Sequence, residues 1–307
     1  MYLSLLLNCL TALLFSDLDL KPSDVLVFYG QCRPAIVKRL PGSQNLTPVI
    51  KNPSASEFSL TASSAAVLLL KNNSFLFEKN SDSPQSIASL TKLMTALVFL
   101  ENNPGFEKEY TIKREDIVLG GKNNLFTGDT LTLENLFHTS LVASDNVATL
   151  ALARSTGLSD ADFVKLMNDK ALKLGLFKTK FVEPTGLSDR NVSTAREVAR
   201  LAKEALGHPE VKEATIKKDY VFTTKEGREK KIDSTDYLLY SEVGPEINIL
   251  GGKTGYTESA GYCFVGKFSD DRQDEIISVV LNSSGRNDRF KETKSLVDWI
   301  FANFKWN

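Results

Sequence analysis

The chain has 307 residues, 42% of them hydrophobic and 24% charged, the composition of an ordinary globular protein able to bury a full-sized core. Its formal net charge of -1 gives no overall field for nucleic acid or for a bare anionic membrane, so an anionic substrate must be met by local cations. Cys9, Cys32 and Cys263 are too few and too widely spaced for a disulfide scaffold or a zinc site, and with only His138 and His208 as imidazoles, histidine triads and metal hydrolysis are hard to build.

Residues 1–15 form a leucine-rich run ending at Ser16-Asp17, the size of a signal-peptide core and too short to span a bilayer. Residues 1–16 therefore read as an export signal. No Lys or Arg precedes the run and no small-x-small cleavage site follows it, which leaves an uncleaved N-terminal anchor or a plain buried element open. Pro22, Pro34, Pro41, Pro48 and Pro53, with Gly30 and Gly42, predict a linker over residues 17–58 that holds one unassigned apolar patch at 25–29.

The folded part is expected from residue 59, where two apolar runs, 65–70 and 75–78, flank the turn Lys71-Asn72-Asn73-Ser74 as a β-hairpin. An apolar run at 87–100 reads as a helix and ends at Asn102-Asn103-Pro104-Gly105, before a short strand at 110–112. Further helices are expected at 130–142, 146–155, 161–174 and 194–206, then strands at 220–224, 248–250, 261–266 and 275–281, and a closing amphipathic helix at 289–304. The order predicts an α+β fold: an antiparallel sheet from residues near 63–79 and 220–283, flanked by helices, with an all-helical lobe inserted at about 115–215.

The first helix carries the chemistry. Ser89 and Lys92 stand three residues apart at its head and share a face, so the amine can reach the hydroxyl. A serine becomes a useful nucleophile when a base takes its proton, and a lysine serves once burial or a second cation lowers its pKa. The N–H of Ser89, unpaired at a helix start, could also donate to an oxyanion. A lone Ser-x-x-Lys is expected roughly once by chance in a chain of this length, so it needs company. Ser144-Asp145-Asn146 and Lys253-Thr254-Gly255 supply it, although the triplet on its own would pass as a helix N-cap. A cleft between sheet and helical lobe would gather Ser89, Ser144 and Lys253.

With these motifs the chain resembles the D-alanyl-D-alanine carboxypeptidase family of low-molecular-mass penicillin-binding proteins over residues 59–304. The resemblance rests on Ile87-Ala88-Ser89-Leu90-Thr91-Lys92-Leu93-Met94-Thr95, on Ser144-Asp145-Asn146, on Pro184-Thr185-Gly186-Leu187 with Ser193-Thr194-Ala195-Arg196, and on Lys253-Thr254-Gly255-Tyr256-Thr257 with Ala260-Gly261-Tyr262-Cys263. It implies the β-lactamase/penicillin-binding-protein fold and a serine DD-peptidase domain over residues 59–305, acting outside the cytoplasm on peptidoglycan stem peptides and acylated by β-lactams. Carboxypeptidase and DD-endopeptidase activity both fit.

By the same resemblance Ser89 is the nucleophile, Lys92 its base, and Ser144 the proton relay to the leaving amine. Asn146 holds the substrate amide and orients Lys92; Lys253 and Thr254 meet the terminal carboxylate, and Lys253 helps to keep Lys92 neutral. Gly255 lets the substrate lie close to its strand, and the N–H groups of Ser89 and Tyr256 form the oxyanion hole. Arg289 is a further carboxylate candidate beside its plain reading as a solvated helix-start arginine. No cofactor and no metal is implied, and no oligomeric state. The chain ends at Trp306-Asn307, without the second β-rich domain and C-terminal anchor of many family members, so membrane attachment, if any, falls to the N-terminus.

Two other readings compete. A class A β-lactamase shares the fold and needs a glutamate with a nearby asparagine to activate its deacylating water; Glu183 lies in about the right region, but Leu187 stands four residues on. A sensor or scaffold that kept the fold without the chemistry would show a broken motif, and none is broken.

Overall fold

The computed structural model describes residues 50–121, 123–241 and 247–306. The leucine-rich run and the linker as far as residue 49 lie outside the described residues.

A five-stranded antiparallel sheet organises the rest: β1 (Ser64–Leu69), β2 (Phe75–Lys79), β3 (Ile247–Thr257), β4 (Gly261–Asp270) and β5 (Glu275–Ser283), in the spatial order β3-β4-β5-β1-β2. All six residues of β1 are buried, because both faces of the sheet are covered. Period-two alternation divides them. Ala65, Val67 and Leu69 join Phe264, Phe268, Val280 and the closing helix residues Leu296, Val297 and Ile300 in one apolar cluster. Ala66 and Leu68 join Val265, Ile277 and Val279 in a second cluster on the helical side.

The helices are α1 (Lys92–Glu101), α2 (Leu133–Val142), α3 (Asn146–Ser155), α4 (Asp160–Lys173), α5 (Ala195–Ala205), α6 (Pro209–Thr215) and α7 (Asp288–Asn303). Four of them start where a side chain can replace the missing helical acceptor: Thr132, Asp145, Ser159 and Thr194 accept from the N–H three residues on. Helix α1 is buried from Lys92 to Phe99, apolar on almost every side, and packs against α2, α3, α4 and α5. Helix α5 in turn lies on β1 and β5. The head of α1 is thereby fixed between sheet and helices.

Three details depart from expectation. The strand expected at 220–224 forms, but Asp219–Thr223 pairs only with Glu229–Asp233 in a separate hairpin that packs on α2, so the main sheet draws its later strands from residues 247–283. Thr130–Thr132, expected to open a helix, pairs with Glu109–Thr111, and the helix starts after it at Leu133. Residues 50–58, expected to close the linker, are pinned to the folded body: Ile50–Lys51 pairs with Phe304–Lys305, and Phe58 packs on Phe77 and Trp299.

Candidate active site

A 3-10 turn, Ala88–Thr91, runs directly into α1 and presents Ser89, which is half-buried. Ala88 just before it has φ of +47°, a left-handed conformation costly for a residue with a Cβ. The turn is held in that shape from two sides. A Cβ on Gly186 would come within 2.1 Å of the Ala88 carbonyl oxygen, and one on Gly255 within 2.8 Å of the Ile87 carbonyl oxygen, so the 183–188 loop and β3 both press on the backbone around the serine.

Lys92 is wholly buried, and its Nζ lies 3.0 Å from Ser89 Oγ, 2.7 Å from Asn146 Oδ1 and 2.6 Å from the Thr185 carbonyl oxygen. Burial pushes this amine down to about 7, against the carboxylates of Glu183 and Asp145, which push it back up. A neutral amine has two N–H groups and one lone pair. Asn146 Oδ1 and the Thr185 carbonyl can only accept, so in the neutral form they take the two N–H groups and the lone pair is left for the Ser89 hydroxyl, whereas the ammonium form donates to all three. The Asn146 amide is oriented for this, because its Nδ2 donates to the Gly120 carbonyl at 2.9 Å.

A second serine–lysine pair faces the first. Lys253, buried on β3, donates to Ser144 Oγ at 2.7 Å and to the Thr254 carbonyl at 3.1 Å. Burial holds its pKa well below the ordinary value, helped by the charges of Lys92 and Arg289 and opposed by Asp236. The two buried ammonium groups also repel each other, so a charge on either one disfavours a charge on the other. Ser144 has φ of +58°, so the chain turns sharply before α3. Between Ser144 and Asn146, Asp145 faces inward, accepting from Ala148 N–H and from Asn124 N–H and Nδ2. The triplet does cap α3, through Asp145, and the same turn places Ser144 and Asn146 beside the two lysines.

The third motif runs along β3, an edge strand, whose outward side has no sheet partner among the described residues. Thr254 is buried, with its Oγ1 2.7 Å from Thr235 Oγ1, and Tyr256 is exposed and stacks on Tyr262 at 4.5 Å between ring centroids. Arg289 is not the solvated arginine of its plain reading. It is buried, donates to the Gly255 carbonyl at 3.0 Å, and is pushed down to about 10 by burial.

Glu183 is fully engaged in its own loop. One carboxylate oxygen accepts from Thr185 N–H and Oγ1 at 2.6 and 2.5 Å; the other accepts from Gly186 N–H, Ser188 N–H and Asn191 Nδ2 at 2.7, 3.3 and 2.8 Å. A carboxylate so saturated is poorly placed to deprotonate a water, which removes the main support for the β-lactamase reading. The motifs alone gave no sign of Asp236. It is buried behind the third motif, accepts from Leu238 N–H, is pushed up to about 7 by burial, and leaves its second oxygen without a hydrogen-bond partner among the described residues. Its one sequence signal is that it precedes a short apolar stretch as a cap.

Two serines and two buried lysines, gathered where an antiparallel sheet meets a helical block, define a serine acyl-transfer enzyme of the penicillin-binding class. The chain belongs to the D-alanyl-D-alanine carboxypeptidase family (peptidase S11), whose profile matches residues 51–285. It is 34% identical over 242 residues to a D-alanyl-D-alanine endopeptidase of Haemophilus influenzae, covering 77% of this chain and 81% of that protein. It is 30% identical over 259 residues to the carboxypeptidase DacF of Bacillus subtilis, covering 81% of this chain and 64% of that one. Among solved structures it is similar to the DD-transpeptidase of Streptomyces K15, with a TM-score of 0.74 and 26% identity over 81% of this chain and all of that one. Penicillin-binding protein D2 of Listeria monocytogenes, solved with cefotaxime bound, superposes with a TM-score of 0.69 at 34% identity, over 80% of this chain and 99% of that one.

Proposed function

We propose that this serine DD-peptidase cleaves D-alanyl-D-alanine stem peptides of peptidoglycan through an ester on Ser89, and that β-lactams acylate the same hydroxyl. The observation that carries the reading is the setting of Lys92, a buried amine within 3.0 Å of Ser89 Oγ whose two other partners can take both N–H groups of its neutral form. Ser89 Oγ attacks the carbonyl of the penultimate D-alanine while its proton passes to Lys92 Nζ. The N–H groups of Ser89 and Tyr256 hold the oxyanion. When the C–N bond breaks, the leaving amine takes a proton from Ser144, which recovers one from the Lys92–Lys253 pair; water then opens the ester.

Lys253 and Thr254 receive the terminal carboxylate. An arriving anion adds counter-charge beside Lys253 and returns its pKa toward the ordinary range. Asn146 and the edge of β3 align the substrate backbone. The substrate lies outside the cytoplasm, so the 1–16 segment is read as the route of export.

Carboxypeptidase and endopeptidase cuts use the same groups. Relatives of both names are covered to the same extent, 81% of the Haemophilus influenzae endopeptidase and 82% of a Streptomyces K15 carboxypeptidase, so both cuts stay in play. Incubation with purified cross-linked and uncross-linked muropeptides, followed by mass spectrometry, separates them. Release of D-alanine marks the first activity, and splitting of dimers the second. Ser89→Ala should lose both, together with the penicilloyl adduct seen by intact mass; an adduct of wild-type extent on Ser89→Ala would refute the nucleophile.

A further inference from the structure

The 183–188 loop is built around one carboxylate. Five donors converge on Glu183, three of them backbone N–H groups of residues 185, 186 and 188. The loop so folded does two things at the nucleophile. Its Pro184 and Thr185 carbonyls accept from Thr95 Oγ1 and Lys92 Nζ, both at 2.6 Å, and its Gly186, at φ of +86°, lies against Ala88 and the Ser89 N–H. Asn191 ties the arrangement to the turn, donating to Glu183 and to Thr91 Oγ1 at 3.2 Å.

We propose that Glu183 is a positioning residue for the nucleophile: its carboxylate shapes the loop so that the Thr185 carbonyl takes one N–H of Lys92 and leaves the lone pair of the neutral amine facing Ser89. The inference rests on Lys92 being the base. A carboxylate is required because every partner is a donor. Glutamine at this position would turn one acceptor oxygen into an NH2 group facing N–H donors.

The charged groups facing Lys92 are few. Glu183 comes from the loop, Asp145 from the cap of α3, and Lys253 from β3 across the cleft. Asp145 is itself held by three donors, so Glu183 is the second half of a pair of carboxylates that keep the buried amine titrating near neutrality rather than far below it. An amine pushed too low would be a weak base, and one left too high would be protonated and inert, so the loop carboxylate sets a compromise between the two.

The test is the pH profile of acylation by benzylpenicillin, followed by intact mass on the full chain between pH 5 and pH 10. In the wild type the rate should rise with a midpoint near 7, the value at which Lys92 loses its proton. Glu183→Gln should lower the plateau and move the midpoint down by about one pH unit, because the charge that held the proton is gone. Glu183→Asp keeps the charge on a shorter arm and should lose about tenfold in plateau rate with the midpoint unmoved. A Glu183→Gln protein that folds and keeps the wild-type midpoint would overturn the proposal, and so would an Asp variant whose midpoint falls. If only the Gln variant fails to fold while the Asp variant keeps the midpoint, the need for a charge is supported. If neither folds, Glu183 is a structural residue and the proposal fails. Failure of the base assignment looks different: Lys92→Arg would then acylate at the wild-type rate whatever Glu183 does.

Discussion

The two serine–lysine pairs are built by opposite routes. Ser89 and Lys92 are three residues apart on one continuous turn-and-helix, and their contact follows from local geometry. Ser144 and Lys253 are 109 residues apart, one at the cap of a helix and the other on the edge of the sheet, and they meet only because the helical block docks on β3. The local pair is insensitive to small movements between sheet and helices. The distant pair reports on them.

The sharpest way to break the local pair is to deny it a neutral amine. Lys92→Arg keeps the charge and most of the volume but does not deprotonate, so it removes the base while leaving Ser89 in place. Acylation by benzylpenicillin should fall by about 10²- to 10⁴-fold, the usual worth of a positioned proton acceptor. An adduct forming within tenfold of the wild-type rate would mean that Ser89 is activated by another group, with the Ser144–Lys253 pair the first suspect.

The next test moves the scaffolding rather than the chemistry. Gly186 has φ of +86° and no room for a methyl group against Ala88, whereas Gly255 has only a close approach, to the Ile87 carbonyl. Gly186→Ala therefore combines backbone strain with a clash and should cost about 2–4 kcal/mol of stability, and Gly255→Ala should cost less, about 1–3 kcal/mol. Denaturant unfolding of the two variants gives the comparison directly. Equal losses would show that the loop yields as easily as the strand and is not a rigid prop for the nucleophile.

The difference between the pairs also explains what the sequence could tell. Ser89 and Lys92 are legible because helix spacing alone makes them neighbours, and the sheet strands are legible because runs such as Ala65 to Leu69 are apolar throughout. Strand pattern does not name the partner, however. Residues 219–223 have the right composition for a strand, but with Phe222 its one buried residue the strand serves a satellite hairpin instead of the main sheet. Glu183 was visible as a residue but not as a clamp, since its partners are mostly main-chain N–H groups that no side-chain pattern announces. Asp236 was missed for a related reason: its neighbours Lys253 and Arg289 lie far along the chain, and only the fold brings them to it.

The smallest predicted effect measures what the site costs the fold. Lys92 titrates near 7 in the folded chain but at an ordinary lysine value when unfolded, so between these the unfolded state binds the extra proton. Stability must then rise with pH across that window, and the penalty is fully present below the folded value, where the buried amine is forced to carry a charge. Lys253 acts in the same direction, because its pKa is also lowered by burial. Asp236 acts oppositely but lower on the scale: raised to about 7, it favours the folded state below its ordinary value and loses that contribution as pH climbs to about 7. Above neutrality the lysines are left to dominate. Unfolding by urea at pH 7 and at pH 9 should show a gain of about 2 kcal/mol from Lys92 in the wild type. Lys92→Met, similar in length and without a proton to lose, should remove most of that gain and be the more stable protein at pH 7. A wild-type profile that is flat from pH 7 to pH 9, or a Met variant with the same slope, would mean that Lys92 keeps its proton when folded, and the neutral-amine geometry would have to be given up with it.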